Sequence, residues 1–221
     1  MRSRASVAKL FLLFTLALPA AHGRAVVIWN SSVNGPLSGL GSAPTPFTLA
    51  AGTDSVISTV GGTNHQNWLV INIPSGLELN GLILASYSST DPQGFTGVQR
   101  GTTFVGSIND PSVYLGYTHF GTAATNNSLP TVDLVGTDVL PLMGDNRSDG
   151  VAPISQGFKP PLPSGNYVFF IQQGGATTNY QYDFVVGPGP VPEPAALSLL
   201  AAAMPLCLRR SRGRANTTEQ D

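Results

Sequence analysis

The chain has 221 residues, 10% of them charged, with a formal net charge of −1, 25 Gly, 18 Pro and one Cys. Its 42% hydrophobic content supplies a core, and the length fits one folded domain with appendages rather than two large domains. The near-neutral balance argues against a nucleic-acid binder, which needs a basic face, and the single Cys excludes a disulfide framework or a Cys-rich zinc site.

Residues 1–23 read as a cleavable signal peptide. Arg2, Arg4 and Lys9 form a basic start, and residues 10–18 (LFLLFTLAL) form an apolar core. Ala21 and Gly23 then place small residues before a cleavage point, with a second candidate after Ala25. The apolar run is far shorter than the ~20 residues of a spanning helix, so export is expected.

From there the pattern is that of short strands. Gly plus Pro well above the usual ~12% predicts many turns and little helix. No 12-residue window has convincing helical spacing. Period-two and β-branched runs fall at residues 25–29, 46–49, 55–60, 68–73, 77–87, 94–100, 113–119, 167–172 and 180–186. A hairpin is expected between 94–100 and 102–104 across Gly101, and a short strand near 132–135. In 77–87 both parities carry apolar residues, so both faces are expected to be covered. These strands predict an all-β domain over residues 24–186, an antiparallel β-sandwich of jelly-roll-like type.

Several side chains in this body bear on chemistry. Asp145, Asn146 and Asp149 precede Gly150 and could supply oxygen ligands to calcium; the same residue types also favour an exposed turn. His65 and His119 could serve a hydrolase, but there is no Gly-x-Ser-x-Gly motif. His119 is expected to be a satisfied polar group in or near the core. Glu78 has no obvious carboxylate partner for glycoside hydrolysis. Trp29, Trp68, Tyr87, Tyr114, Tyr117, Tyr167, Tyr180 and Tyr182 could stack on sugars, although sandwich cores bury aromatics routinely.

Residues 187–191 (GPGPV) are expected to form a linker. Residues 192–214 follow as Pro192-Glu193-Pro194, an apolar stretch over 195–208, and Arg209, Arg210, Arg212 and Arg214. Residues 215–221 are a polar tail. Arginines after an apolar segment stay cytoplasmic, which leaves the body outside. Fourteen helical residues span about 21 Å, short of the ~30 Å hydrocarbon core, so the segment suits transient membrane anchorage as a C-terminal hydrophobic sorting helix. With both ends removed, residues 26–187 keep three basic residues (Arg100, Arg147, Lys159) against nine acidic ones, a balance of −6.

The Pro192-Glu193-Pro194 motif, the apolar stretch and the arginine cluster together resemble the PEP-CTERM sorting signal of exported bacterial proteins. That resemblance implies processing near the motif by an exosortase, a membrane enzyme. It also implies association with exopolysaccharide or the cell surface. The apolar segment is short for that family, and the polar tail follows where the family usually stops. The body resembles the bacterial pre-peptidase C-terminal type of β-sandwich, through residues 46–52, 68–76 and 163–171. That group is usually non-catalytic and often has an acidic lead-in where residues 64–68 here read Asn-His-Gln-Asn-Trp. The expectation is an exported, exosortase-processed, non-catalytic protein of the envelope, surface or matrix, without a required cofactor. The alternatives are a carbohydrate- or calcium-binding module and an unrecognised hydrolase.

Overall fold

Alternation with period two governs the strands described between residues 26 and 188. The computed structural model describes residues 24–62, 66–125, 130–145 and 155–190. Within them the strands are β1 (Val26–Asn30), β2 (Thr45–Thr48), β3 (Gly52–Val60), β4 (Gln66–Ile73), β5 (Leu77–Ser88), β6 (Gln93–Arg100), β7 (Gly116–Gly121), β8 (Gly165–Gln172) and β9 (Thr178–Pro188). The α-helices described are short: α1 (Ser31–Asn34) and α2 (Leu140–Gly144). The chain is therefore all-β, as its turn-rich composition predicts. Among the described residues no helix is long and apolar enough to cross a membrane. The segment 1–23, expected to be a signal peptide, and the segment 191–221, with its expected sorting helix, lie outside the described residues.

The strands form two sheets, ordered β1-β3-β9-β5 and β2-β4-β8-β6-β7. Most neighbours are antiparallel, but β1 pairs with β3 and β2 with β4 in parallel. The sheets are mixed, which corrects the expectation of a wholly antiparallel arrangement. Parallel neighbours need a long crossover. Residues 31–51 provide one, and they deliver β2 to the opposite sheet on the way.

The two sheets share one apolar interior, a sandwich-like packing. Val56, Val60, Leu69, Ile71, Leu82, Leu84, Phe169 and Phe184 are buried there together. Alternation drives this, because a pleated strand sends successive side chains to opposite sides. Strand β5 shows how the rule bends. Its register shifts between Leu79 and Gly81 and again between Leu84 and Ser86. Each bulge reverses parity, so Leu79, Leu82, Leu84 and Tyr87 all reach the core. The mixed parity of residues 77–87 thus comes from bulges.

Turn chemistry closes the strands as expected at residues 74–76. Leu77 N–H donates to the Pro74 carbonyl at 3.1 Å, and Gly76 takes φ +80°. The expected hairpin across Gly101 does not form. Residues 102–104 are not a strand, and β6 pairs with β8 and β7 instead. The backbone of Phe104 donates to Gly41 at 2.8 Å, and that of Val105 donates to the Gln99 side chain at 2.8 Å. Near residue 132 the pairing is a single bridge between Ala124 and Val132. At the other end of the domain, β9 continues through Gly187 and Pro188, which pair with Glu78 and Leu77.

One consequence of the topology concerns the two ends of the body. Val26 pairs with Asp54, and Asp54 pairs with Phe184. The start of β1 and the end of β9 therefore leave the same end of one sheet, with Val26 about 10 Å from Phe184 across two strand spacings.

Candidate functional site: an aromatic cleft on the outer sheet face

The outer face of the five-stranded sheet is aromatic where a solvated sheet face is usually polar. Trp68 on β4 and Phe170 on β8 stack at 4.4 Å between centroids, with planes 29° apart. Phe95 on β6 continues the row, 5.9 Å from Phe170. On the edge strand β7, Tyr117 lies 5.5 Å and His119 5.7 Å from Phe95. Register explains the grouping: Phe95 is paired with His119, and Gly97 with Tyr117. All of these side chains share the outward parity of their strands.

Residues 101–115 fold over this face and cover part of it. Tyr114 is buried against Phe95 and Phe104, at 6.0 and 5.5 Å. Gly97 makes that possible, since a Cβ there would sit 2.6 Å from the Tyr114 ring. The loop is pinned at several points. Gln99 Nε2 donates to the carbonyls of Val105 and Val113 at 2.9 and 2.8 Å. Tyr114 Oη donates to the Ile108 carbonyl at 3.0 Å. Asp110 accepts from the backbone N–H and the hydroxyl of Ser112, at 3.0 and 2.6 Å. These bonds hold the exposed Asp110 carboxyl below its usual pKa, so it is ionised near neutrality. Burial pushes the Tyr114 phenol well above its usual value, which keeps it neutral.

Between loop and sheet a cleft of about 180 Å³ stays open. Its lining includes Phe95, Asn109, Pro111, Tyr117 and His119, with Tyr114 at its back. Phe95, Tyr117 and His119 are half-buried, so parts of their rings face the cleft. Among the described residues no Lys or Arg lines it.

The side chains singled out from sequence are distributed as follows. Pro192, Glu193, Pro194, Arg209, Arg210, Arg212 and Arg214 lie outside the described residues, as do Asn146, Asp149 and His65. Asp145 is described, as the exposed residue that ends α2. Among the described residues no three His, Cys, Asp or Glu side chains gather as a metal site would require. His119 lies on the outer face, not between the sheets, while its neighbour Phe120 takes the interior position.

Most described aspartates accept from backbone N–H groups, whereas Asp183 on β9 accepts from Ser55 Oγ at 2.6 Å and Gln181 Nε2 at 2.8 Å. Asp54 accepts from Ala50 N–H at 2.7 Å, Asp91 from Gln93 N–H at 3.1 Å and Asp133 from Val135 N–H at 2.9 Å. Asp138 accepts from the N–H groups of Leu82 and Leu140 at 2.9 and 3.0 Å. Of the aromatics named as sugar-stacking candidates, Trp68, Tyr87, Tyr114, Tyr167, Tyr180 and Tyr182 are buried. Trp29 and Tyr117 remain half-buried. Phe95, which joins Tyr117 in the cleft, has no mark in the sequence beyond its parity with Gly97. Comparison of the chain with family models, with curated proteins and with solved structures returns no match.

Proposed function

We propose that the chain is an exported protein, processed by an exosortase, whose non-catalytic β-sandwich body is retained at the cell surface or in the exopolysaccharide matrix. The observation that carries this reading is the layout of the ends. A signal-like segment precedes β1, and the Pro192-Glu193-Pro194 segment follows β9. Both leave one end of the same sheet, so a membrane-held precursor would project the rest of the body away from the bilayer. The −6 balance of residues 26–187 further suits a soluble, exported body.

Two further points support the finer reading. The antiparallel runs β3-β9-β5 and β4-β8-β6-β7 fit a jelly-roll-like sandwich of the pre-peptidase C-terminal type, with the parallel β1 and β2 as departures. The aspartates at positions 54, 91, 110, 133 and 138 are used as turn acceptors, which is a structural rather than a catalytic employment.

The test is replacement of Pro192, Glu193 and Pro194 together by alanine in the producing cell. The expected result is a longer, membrane-associated species, seen by cell fractionation and intact mass. An exported product of unchanged terminus would overturn the sorting assignment.

A further inference from the structure

We propose that the cleft over Phe95 and Tyr117 binds one sugar ring of an uncharged polysaccharide. The two rings come from neighbouring strands, and their planes lie within 30° of each other. Rings so nearly parallel present similarly directed apolar faces. A pyranose has an apolar C–H face and a rim of hydroxyls, so it matches an aromatic floor with polar groups beside it. Here His119, inclined 74° to Phe95, and Asn109 bring an imidazole and an amide to that rim. Both groups can donate and accept hydrogen bonds, as a hydroxyl requires.

Charge narrows the ligand class. Asp110 lies in the loop segment between two lining residues, Asn109 and Pro111, and stays ionised. With no Lys or Arg among the described lining residues and a body of −6, an acidic polysaccharide meets repulsion. A quaternary ammonium would need rings set around it as a cage. The third ring, Tyr114, is buried and tied to Ile108. A cleft of about 180 Å³ with an open side takes one ring and lets the polymer run outward. Because Gln99, Asp110 and Tyr114 already fix the loop, little ordering cost attends binding.

Placement fits the same role. Phe95 pairs with Gln172, the last residue of β8, and residues 173–177 lead from there to the start of β9. That end of the sandwich is opposite the one from which the end of β9 leaves. The cleft therefore lies toward the end of the sandwich remote from Pro188, where β9 ends.

The inference rests on the export reading only for the source of the polysaccharide. Purified protein tests it whatever its processing, so either reading can fail alone. The exported protein is run in affinity gels containing dextran, hydroxyethyl cellulose or galactomannan as neutral probes, with alginate as the acidic one. Choline and oligoproline are titrated by calorimetry. Retardation by at least one neutral polymer is expected, with little by alginate and no heat from choline or oligoproline. Tyr117→Ala should weaken that retardation about tenfold or more, and Tyr117→Phe should retain most of it. Asn109→Ala lies in an exposed loop and leaves the fold intact, so it should weaken binding several-fold even if Tyr117→Ala fails to fold. The proposal is overturned by no retardation with any neutral polymer, by retardation with alginate alone, by choline or oligoproline binding, or by an Asn109→Ala protein that binds undiminished.

Discussion

Raising the pH above about 10 is expected to unfold the body in one cooperative step. Tyr180 and Tyr182 are buried between the sheets, where their phenol groups exchange water for Phe120 and each other. Asn67 donates to Tyr180 Oη at 3.0 Å. Thr96 faces Tyr182, but neither hydroxyl reaches hydrogen-bond geometry with a protein group. Burial raises both phenols above their ordinary value. Each folded-state pKa therefore exceeds the unfolded value of about 10, and the folded state holds the proton more tightly. This contribution to stability is fully present below pH 10 and is lost as the pH climbs toward the folded values. Two such groups withdraw up to about 2.7 kcal/mol per pH unit, and Tyr87, Tyr114 and Tyr167 are shifted in the same direction. Against a typical stability of roughly 5–15 kcal/mol, a few pH units suffice. Circular dichroism and tyrosinate absorbance should change together. Tyrosinates appearing near pH 10 with an intact fold would contradict the buried placement.

The second large effect is expected from Phe184→Ala. Phe184 projects inward from β9 and meets Phe169 of the facing sheet edge to face, at 5.6 Å and 89°. Both rings are 1% exposed, and they join the two layers. Removing one ring should cost about 3–5 kcal/mol, through lost transfer energy and the cavity left behind. Val185→Ala, one residue along, points outward from a half-buried position and should cost no more than about 1 kcal/mol. Urea unfolding of the two variants measures the difference directly. Equal losses would mean that β9 does not alternate between core and surface.

The sequence makes most strands legible because their signal is local. In β9, Tyr180, Tyr182, Phe184 and Val186 alternate with Gln181 and Asp183, and the former four are buried. The turn at residues 74–76 is legible for the same reason, since Gly76 supplies its own φ. What depends on register is not legible. The two bulges of β5 merge its two apolar parities onto one face, and no single residue announces them. The crossovers that set β1 parallel to β3 and β2 parallel to β4 are properties of residues 31–51 and 49–65 as paths, not of their composition.

The cleft was hidden by the same limit. Phe95 and His119 are separated by 23 intervening residues in the chain and become neighbours only through the β6–β7 pairing. Tyr114 and Gly97 meet because a loop with one short 3-10 turn at Pro111–Val113 is pinned by Gln99 and Asp110. A histidine beside a buried Phe120 reads as interior until strand parity is known. Its outward parity on β7 makes it part of the outer surface.

The proposed export and processing remove two segments and leave a surface-retained sandwich. The most direct measurement is the intact mass of the protein recovered from the cell surface. The expected result of this processing is a species that begins near Arg24 and ends near Pro192-Glu193-Pro194, without residues 1–23 and without the apolar stretch over 195–208. A surface species that keeps residues 195–214, or one that keeps residues 1–23, would contradict it.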